Sequence, residues 1–375
     1  MKELIFKKKI HGSKKFIKRT LSKSFSYVYQ TTKQFKYHRG SGKFALQKLK
    51  NLGAYGIKLS NSDKKLCDEY AIDILGGKHF SPWLYLYTAI AGKFKEGWIP
   101  DNYYAEFVVP ILKGAYGDIS KLKPLNSAIF KSDLFPDKLS YANGIFFDTQ
   151  YDFVSKGDVF DRLFINQDQV IFKLDNTNQG KGIYFFSKDN FNLDYIESLG
   201  NGLFQGVIKQ HKLLAKFSKN SVATLRVTTV YPDNGEPSVR SCYLRFGISN
   251  DTHVMSKSHI RLPIDLQTGD FNDVGYDADY IPIKAHPTSK INFGGNTFSK
   301  FKDCCDKALA LHKKVPHCRC IGWDFTLDHE GKIKIIEWNA DHNDIKFSEA
   351  TQGPCFPDLG WNKLHINELY KNIVA

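Results

Sequence analysis

A chain of 375 residues, 42% of them hydrophobic, can bury a full core, and its length suggests two or three structural units. The charged fraction of 25% and the aromatic fraction of 14% exclude global disorder. The net charge of +14 sits at one end: residues 1–50 hold 15 Lys and Arg against the single acid Glu3, and the rest of the chain is neutral.

Residues 1–50 therefore read as a basic N-terminal arm. Such an arm attracts anions, whether a phospholipid surface, an acidic glycan or nucleic acid; the plain alternative is a solvated, partly helical tail. Lys7–Lys9 interrupt any signal-peptide core. The nearest apolar run, Pro82–Gly92, is too short for the ~20 residues of a membrane span. A cytoplasmic protein is expected, with peripheral attachment at the inner face of the membrane open to the arm. Phe6, Phe16, Phe25, Tyr27, Tyr29, Phe35 and Tyr37 interleave the basic residues, so parts of the arm should pack or dock. Phe16–Tyr29 carries apolar residues at helical spacing.

Residues 51–125 read as mainly helical, over Ser62–Leu75 and Pro82–Lys95, punctuated by Gly76-Gly77 and Pro100-Asp101. From residue 126 to 375 the texture changes. Short β-rich runs follow one another: Gly144–Asp148, Val170–Leu174, Gly182–Phe186, Gly202–Lys209, Ala223–Tyr231, Ser238–Phe246, Ile321–Leu327 and Lys332–Asn339. Helical stretches such as Phe298–Lys313 lie between them. The pattern is α+β with antiparallel hairpins. The seven cysteines lack the CxxC pairs of structural zinc sites and read as buried free thiols.

Three segments carry candidate chemistry. In Ile321–Asn339, two strands flank the turn His329-Glu330-Gly331. Strand alternation puts Ile333, Ile335, Glu337 and Asn339 on one face, with Asp324 in reach on the preceding strand. Asp324, Glu337 and Asn339 would supply hard oxygen ligands suited to Mg²⁺, or else simply face solvent at a hairpin end. In Gln169–Phe186, Lys173 ends a strand and the loop Asn176–Gly182 follows, with Lys181 and two glycines that would let backbone N–H groups approach phosphates. It lacks Walker A spacing, and a plain hairpin turn is the competing reading. In Gly202–Tyr231, Arg226 lies mid-strand among apolar neighbours and needs an anion; Arg240 and Arg245 pose the same question on the next strand. Asp341-His342-Asn343-Asp344 follows the hairpin and reads either as acceptor contact or as a turn.

These segments, in this order, resemble the sugar-transfer-associated ATP-grasp family of the ATP-grasp superfamily. The matching stretches are VIFKLDNTNQGKGI, QHKLLAKFSKNSVATLRVTTV, Arg245–Gly247, IGWDFTLDHEGKIKIIEWNAD and Gln352–Trp361. The resemblance covers roughly residues 126–361. It implies an ATP-grasp fold, two α+β lobes clasping ATP, behind the basic and helical N-terminal regions. It implies that Lys173 contacts the α-phosphate and adenine, and that Gln179, Gly180, Lys181 and Gly182 close over the outer phosphates. Gln205, Val207 and Ile208 would belong to the adenine hinge, with Gln210 and His211 near the ribose. Lys181 and Arg226 would act in catalysis, and Asp324, Glu337 and Asn339 would hold Mg²⁺. Arg226, Arg245, Asp341 and His342 would meet substrate. The upstream ATP-binding lysine of such proteins is absent at Ala128, and Lys131 is the nearest substitute.

The implied activity is an ATP-dependent carboxylate–amine ligase working through an acyl-phosphate. The expected substrates are an amino acid and a hexuronic acid carboxylate of a bacterial capsular or O-antigen polysaccharide. Nucleic acid is not the expected partner. A glycan kinase is one alternative, although no HRD motif is present. A non-enzymatic membrane- or nucleic-acid-binding protein with a vestigial ATP site is the other.

Overall fold

The computed structural model describes residues 32–177, 181–248 and 259–367. The predicted helix Phe16–Tyr29 and the loop residues Gln179 and Gly180 lie outside these.

The first described element is a helix over 32–54, and it runs straight across the expected boundary at residue 50. Gly42, Ala45 and Leu52 are buried, Leu49 packs beside them, and Lys33, Lys36, Lys43 and Lys50 are exposed. This stripe at helical spacing docks the helix on its neighbours. Ser41 Oγ accepts from Trp83 Nε1 at 2.8 Å, and His38 faces Glu106 at 3.1 Å. Residues 32–50 are thus part of the folded body.

The next helix, Asn61–Glu69, is capped by Ser60, whose Oγ accepts from Asp63 N at 3.0 Å. It continues as a π-helical turn, Tyr70–Ile74. Helix Ser81–Ala91 starts with Pro82 in its first turn and stops at Gly92, whose φ of +78° ends it. Nearly all of its faces are buried, which explains its apolar sequence: it is a core helix. Among the described residues no helix is long and apolar enough to cross a membrane.

Two antiparallel sheets follow. The first has the order β3-β2-β1-β6-β4-β5. Its strands are β1 Asp137–Ala142, β2 Ile145–Asp148, β3 Phe153–Val154, β4 Gln169–Leu174, β5 Ile183–Ser187 and β6 Gly202–Gly206. The second has the order β11-β10-β9-β8-β7-β12-β13. Its strands are β7 Thr224–Val230, β8 Ser238–Phe246, β9 Ile260–Pro263, β10 Gly275–Tyr276, β11 Pro282–Ile283, β12 Cys320–Leu327 and β13 Ile333–Asn339. β7 and β12 are buried at every position because both sheet faces are covered. Helix Phe301–His312 covers one face; the N-terminal helices and Phe347 pack toward the other. All seven cysteines are free thiols, six of them buried.

β13 departs from simple alternation. Asp324 pairs with Glu337 and Phe325 with Ile335, which leaves Ile336 as a β-bulge. The bulge shifts the phase by one residue. Ile333 and Ile335 go into the core with Trp338, whereas Glu337 and Asn339 turn to the opposite side. The expected single face of Ile333, Ile335, Glu337 and Asn339 is therefore split.

Glu349 ties the C-terminal segment to the helical layer. It is fully buried and accepts from the backbone N–H of Ile99 and of Cys355, each at 2.7 Å. Burial pushes its carboxyl from an ordinary 4.5 up to about 7, against the pull of those two hydrogen bonds. Between those values the folded protein holds a proton that the unfolded chain has lost. This group therefore makes stability fall as pH rises from about 4.5 to 7. Melting temperatures of the wild type and Glu349→Gln, compared at pH 5 and 7.5, should show that slope reduced in the variant.

Candidate active site

The two sheets face one another across a cleft of about 1470 Å³. That is larger than one drug-sized site needs and leaves room for a nucleotide and a second substrate.

One wall comes from the first sheet. Ile171, Ile183, Phe185, Leu203 and Val207 line an apolar slot, continued by the backbone of Gly206–Lys209. Gln205 lines it too, but its amide donates to Asp137 Oδ1 at 2.7 Å. Burial raises the Asp137 carboxyl to about 6, opposed by the hydrogen bonds from Gln205 and Asn126 and the charge of Lys173. At the inner end of β4, Lys173 is 6% exposed and donates to the bulge carbonyl of Ile336 at 3.2 Å. This contact links the two lobes at the bulge. Burial lowers the Lys173 pKa, opposed by Glu337 and Asp137.

Lys123 was not anticipated. Its ammonium donates to Leu174 O at 2.7 Å, and its backbone N–H donates to Asp175 Oδ1 at 3.1 Å. It lines the cleft at the mouth of the expected phosphate loop. Lys131 instead caps a short helix at φ +44°, is exposed, and does not line the cleft. Lys121 and Lys123 both line the cleft upstream of Lys173. Of the loop, Gly182 needs its φ of +67°, and a Cβ there would meet Thr177 Cγ2 at 2.8 Å. Lys181 is exposed and outside the cleft lining.

Gln210 and His211 serve the backbone. The Gln210 amide donates to the carbonyls of Ser218 and Ser221 and accepts from Ala223 N. His211 caps the turn Lys212–Ala215 through Nδ1 and is not among the cleft-lining residues. Gln210 thus lines the cleft with its side-chain amide engaged, whereas His211 lies outside the lining.

The opposite wall belongs to the second sheet. Arg226 on β7 lies directly across from Asp324 on β12. Its Nε and Nη2 donate to the two Asp324 oxygens at 2.6 and 3.0 Å. Arg245 on β8 adds a further contact to Asp324 Oδ2 and donates to Thr224 Oγ1 at 3.0 Å. Burial alone would raise the Asp324 carboxyl; the two guanidiniums hold it well below the usual carboxylate range. Arg240 is separate, paired with Asp358 at 2.6 Å. Asn339 lies 3.5 Å from Asp324 and 3.4 Å from Glu337 through its amide nitrogen, so the expected trio converges. Its members differ: Asp324 is buried and holds two arginines, while Glu337 and Asn339 are half-buried on the cleft. Three oxygen-bearing side chains, two of them carboxylates, suit a hard cation such as Mg²⁺.

Past β13, Asp341 pairs with Lys121 at 2.7 Å. Buried Lys113 holds the turn by donating to Asp341 O and, at 2.9 Å, to Asn343 Oδ1. His342 lines the cleft, with Nε2 3.6 Å from Asp101. Asp341–Asp344 is therefore both a braced turn and part of the cleft wall.

Two antiparallel α+β lobes closing on such a cleft define an ATP-grasp fold. The chain belongs to the sugar-transfer-associated ATP-grasp family, whose sequence pattern matches residues 125–357. No curated protein matches the chain. Several solved structures are similar at low identity. The ADP complex of PurK, an N5-carboxyaminoimidazole ribonucleotide synthetase, is 12% identical with a TM-score of 0.35, over 57% of this chain and 42% of that one. The ATP-grasp ligase PsnB with its minimal precursor is 12% identical with a TM-score of 0.37, over 70% of this chain and 63% of that one. The D-alanine-D-alanine ligase from Coxiella burnetii is 11% identical with a TM-score of 0.37, over 70% and 59%. The chain thus spans less than two thirds of each of these structures.

Proposed function

We propose that this protein is an ATP-dependent carboxylate–amine ligase. In this reading it joins an amino acid to a hexuronic acid carboxylate of a bacterial capsular or O-antigen polysaccharide through an amide bond. The observation that carries the reading is the pairing of opposed walls: an apolar slot ending in Lys123 and Lys173 faces Arg226, Arg245, Glu337 and Asn339. Apolar walls suit a base, and convergent cations suit phosphates and a carboxylate. The sugar-transfer association of the family supports the glycan as substrate.

A carboxylate is a poor electrophile, so ATP would transfer its terminal phosphoryl group to it, forming an acyl-phosphate and ADP. The amine would then attack the acyl carbon and expel phosphate. Lys123 and Lys173 would hold nucleotide phosphates. Arg245, less buried than Arg226, would face the transferring group, with Arg226 and Asp324 keeping it in place. Mg²⁺ held by Asp324, Glu337 and Asn339 would neutralise phosphate charge. The slot and the helix 32–54 would exclude water from the reacting centre.

The basic segment ahead of residue 32 would hold the enzyme at an anionic surface on the cytoplasmic side; residues 32–50 are occupied in the cleft wall.

The test is phosphate release from ATP with Mg²⁺, uronic-acid oligosaccharides and an amino-acid panel. Release should require both the sugar acid and the amine. A phosphorylated glycan formed without any amino acid would make the protein a kinase instead. Lys123→Met should weaken ATP binding by about tenfold or more, since a charge-assisted contact contributes ~1.5–3 kcal/mol. Lys131→Ala should leave it unchanged. Titration with a fluorescent ATP analogue checks both.

A further inference from the structure

The cleft has a second charged end, which adjoins the arginine–carboxylate centre through Arg261 on β9, the cross-strand partner of Arg245 on β8. The helix 32–54, β9, the loop after β10 and the turn after β13 form it. We propose that this end binds the amine substrate as a zwitterionic amino acid, with its carboxylate on Arg261 and its ammonium on Asp101. The inference rests on the ligase reading and assigns one of its two substrates a place.

Arg261 on β9 is 5% exposed. Its guanidinium carbon lies over the rings of Tyr280 and Phe347, at 4.3 and 4.4 Å, and packing against both restricts it. One nitrogen donates to Asp277 O at 3.2 Å. Its Nε is buried and has no hydrogen-bond partner among the described residues. Asp101 is 8% exposed, and its Oδ1 likewise lacks a hydrogen-bond partner among them. His342 at 3.6 Å and Lys346 at 3.9 Å are beyond that range. Leaving a buried polar atom unpaired costs about 1–3 kcal/mol, and more for a charged group.

Neighbouring charges pair among themselves, with Lys346 shared between Asp344 and, at longer range, Asp101. Lys346 pairs with Asp344 at 2.6 Å, and Lys48 pairs with Asp279. Arg261 Nε and Asp101 Oδ1 thus offer a cationic donor and an anionic acceptor, neither hydrogen-bonded among the described residues, on the same cleft. A purely anionic ligand would leave Asp101 unsatisfied, and a simple amine would leave Arg261 unsatisfied. An amino acid satisfies both, and the restricted guanidinium suits a carboxylate. The helix 32–54 leaves room for a side chain, because nothing lies within 4 Å of where a Cβ on Gly40 would sit.

The experiment is binding to the intact chain without ATP, by saturation-transfer NMR. The probes are L-alanine, L-serine, L-lysine and L-glutamate, each beside its α-amide and its decarboxylated amine. At least one amino acid should bind, with its amide and amine weaker by about tenfold or more. Arg261→Gln should abolish that discrimination, Arg261→Lys should keep part of it, and Asp101→Asn should weaken the amino acid and its amide together. Unchanged ATP affinity in each variant reports an intact fold. Equal binding of amino acid and amide would overturn the proposal, as would discrimination that survives Arg261→Gln. So would the absence of amino-acid binding by a protein that binds ATP. Amino-acid-dependent phosphate release alongside any of those results would leave the ligase standing and remove only this site.

Discussion

Replacing Glu337 with alanine is expected to lower ATP-dependent turnover by about 10²–10³-fold or more while the fold holds. Glu337 sits where the β-bulge at Ile336 turns the strand toward the cleft. It is half-buried, and the Asn339 amide nitrogen lies 3.4 Å from its Oε1. Little of the core depends on it, so the melting temperature should stay close to wild type. Its value lies in presenting an oxygen ligand beside Asn339 and Asp324. Glu337→Gln keeps the shape and one carbonyl oxygen but loses the charge, so it should fall between wild type and alanine. Steady-state ADP formation and a thermal melt measure the two halves of the claim. Undiminished turnover in Glu337→Ala would remove the metal assignment.

Asp324→Asn should damage stability and activity together. Asp324 is 1% exposed and holds both Arg226 and Arg245. Removing its charge leaves two guanidiniums facing an amide in a buried setting. Breaking one side of such a pair costs about 3–5 kcal/mol. Denaturant unfolding of the variant should show a loss of that order. Arg226→Met added to Asp324→Asn should recover part of it, because the stranded cation is gone. A single variant as stable as the wild type would mean that Asp324 is not the anchor of this wall. Turnover should be lost in both variants, since Arg245 no longer has a fixed position.

The elements written in strong local patterns were legible in the sequence. Ser238–Phe246 has its predicted bounds, and the hairpin from β12 to β13 turns at Gly331 with φ +80°. The carboxylate and amide trio was legible because its members lie on two adjacent strands. The bulge was not: skipping one residue depends on how β12 pairs, and period-two reading has no term for it. The cleft position of Lys123 was not legible because it is set by Asp175 and the carbonyl of Leu174, contacts remote in sequence. The backbone contacts of Gln210 and His211 were not legible for a related reason. Polar side chains near a hinge look like ligand contacts, but these two satisfy local backbone groups first. The helix 32–54 was obscured by its charge. Its signal was present in Gly42, Ala45, Leu49 and Leu52, a narrow stripe of small and apolar residues among lysines. Lysine stems tolerate such a surface while their ammonium groups stay in water.

The most direct test of the ligase reading is the mass of the glycan product. Purified protein would be incubated with ATP, Mg²⁺, a uronic-acid oligosaccharide and the amino-acid panel, and the oligosaccharide analysed by mass spectrometry. The ligase reading predicts a product heavier by one amino acid less one water, formed with one phosphate released for each bond. A glycan that gains a phosphoryl group instead, or that stays unchanged with folded, ATP-binding protein, would contradict it.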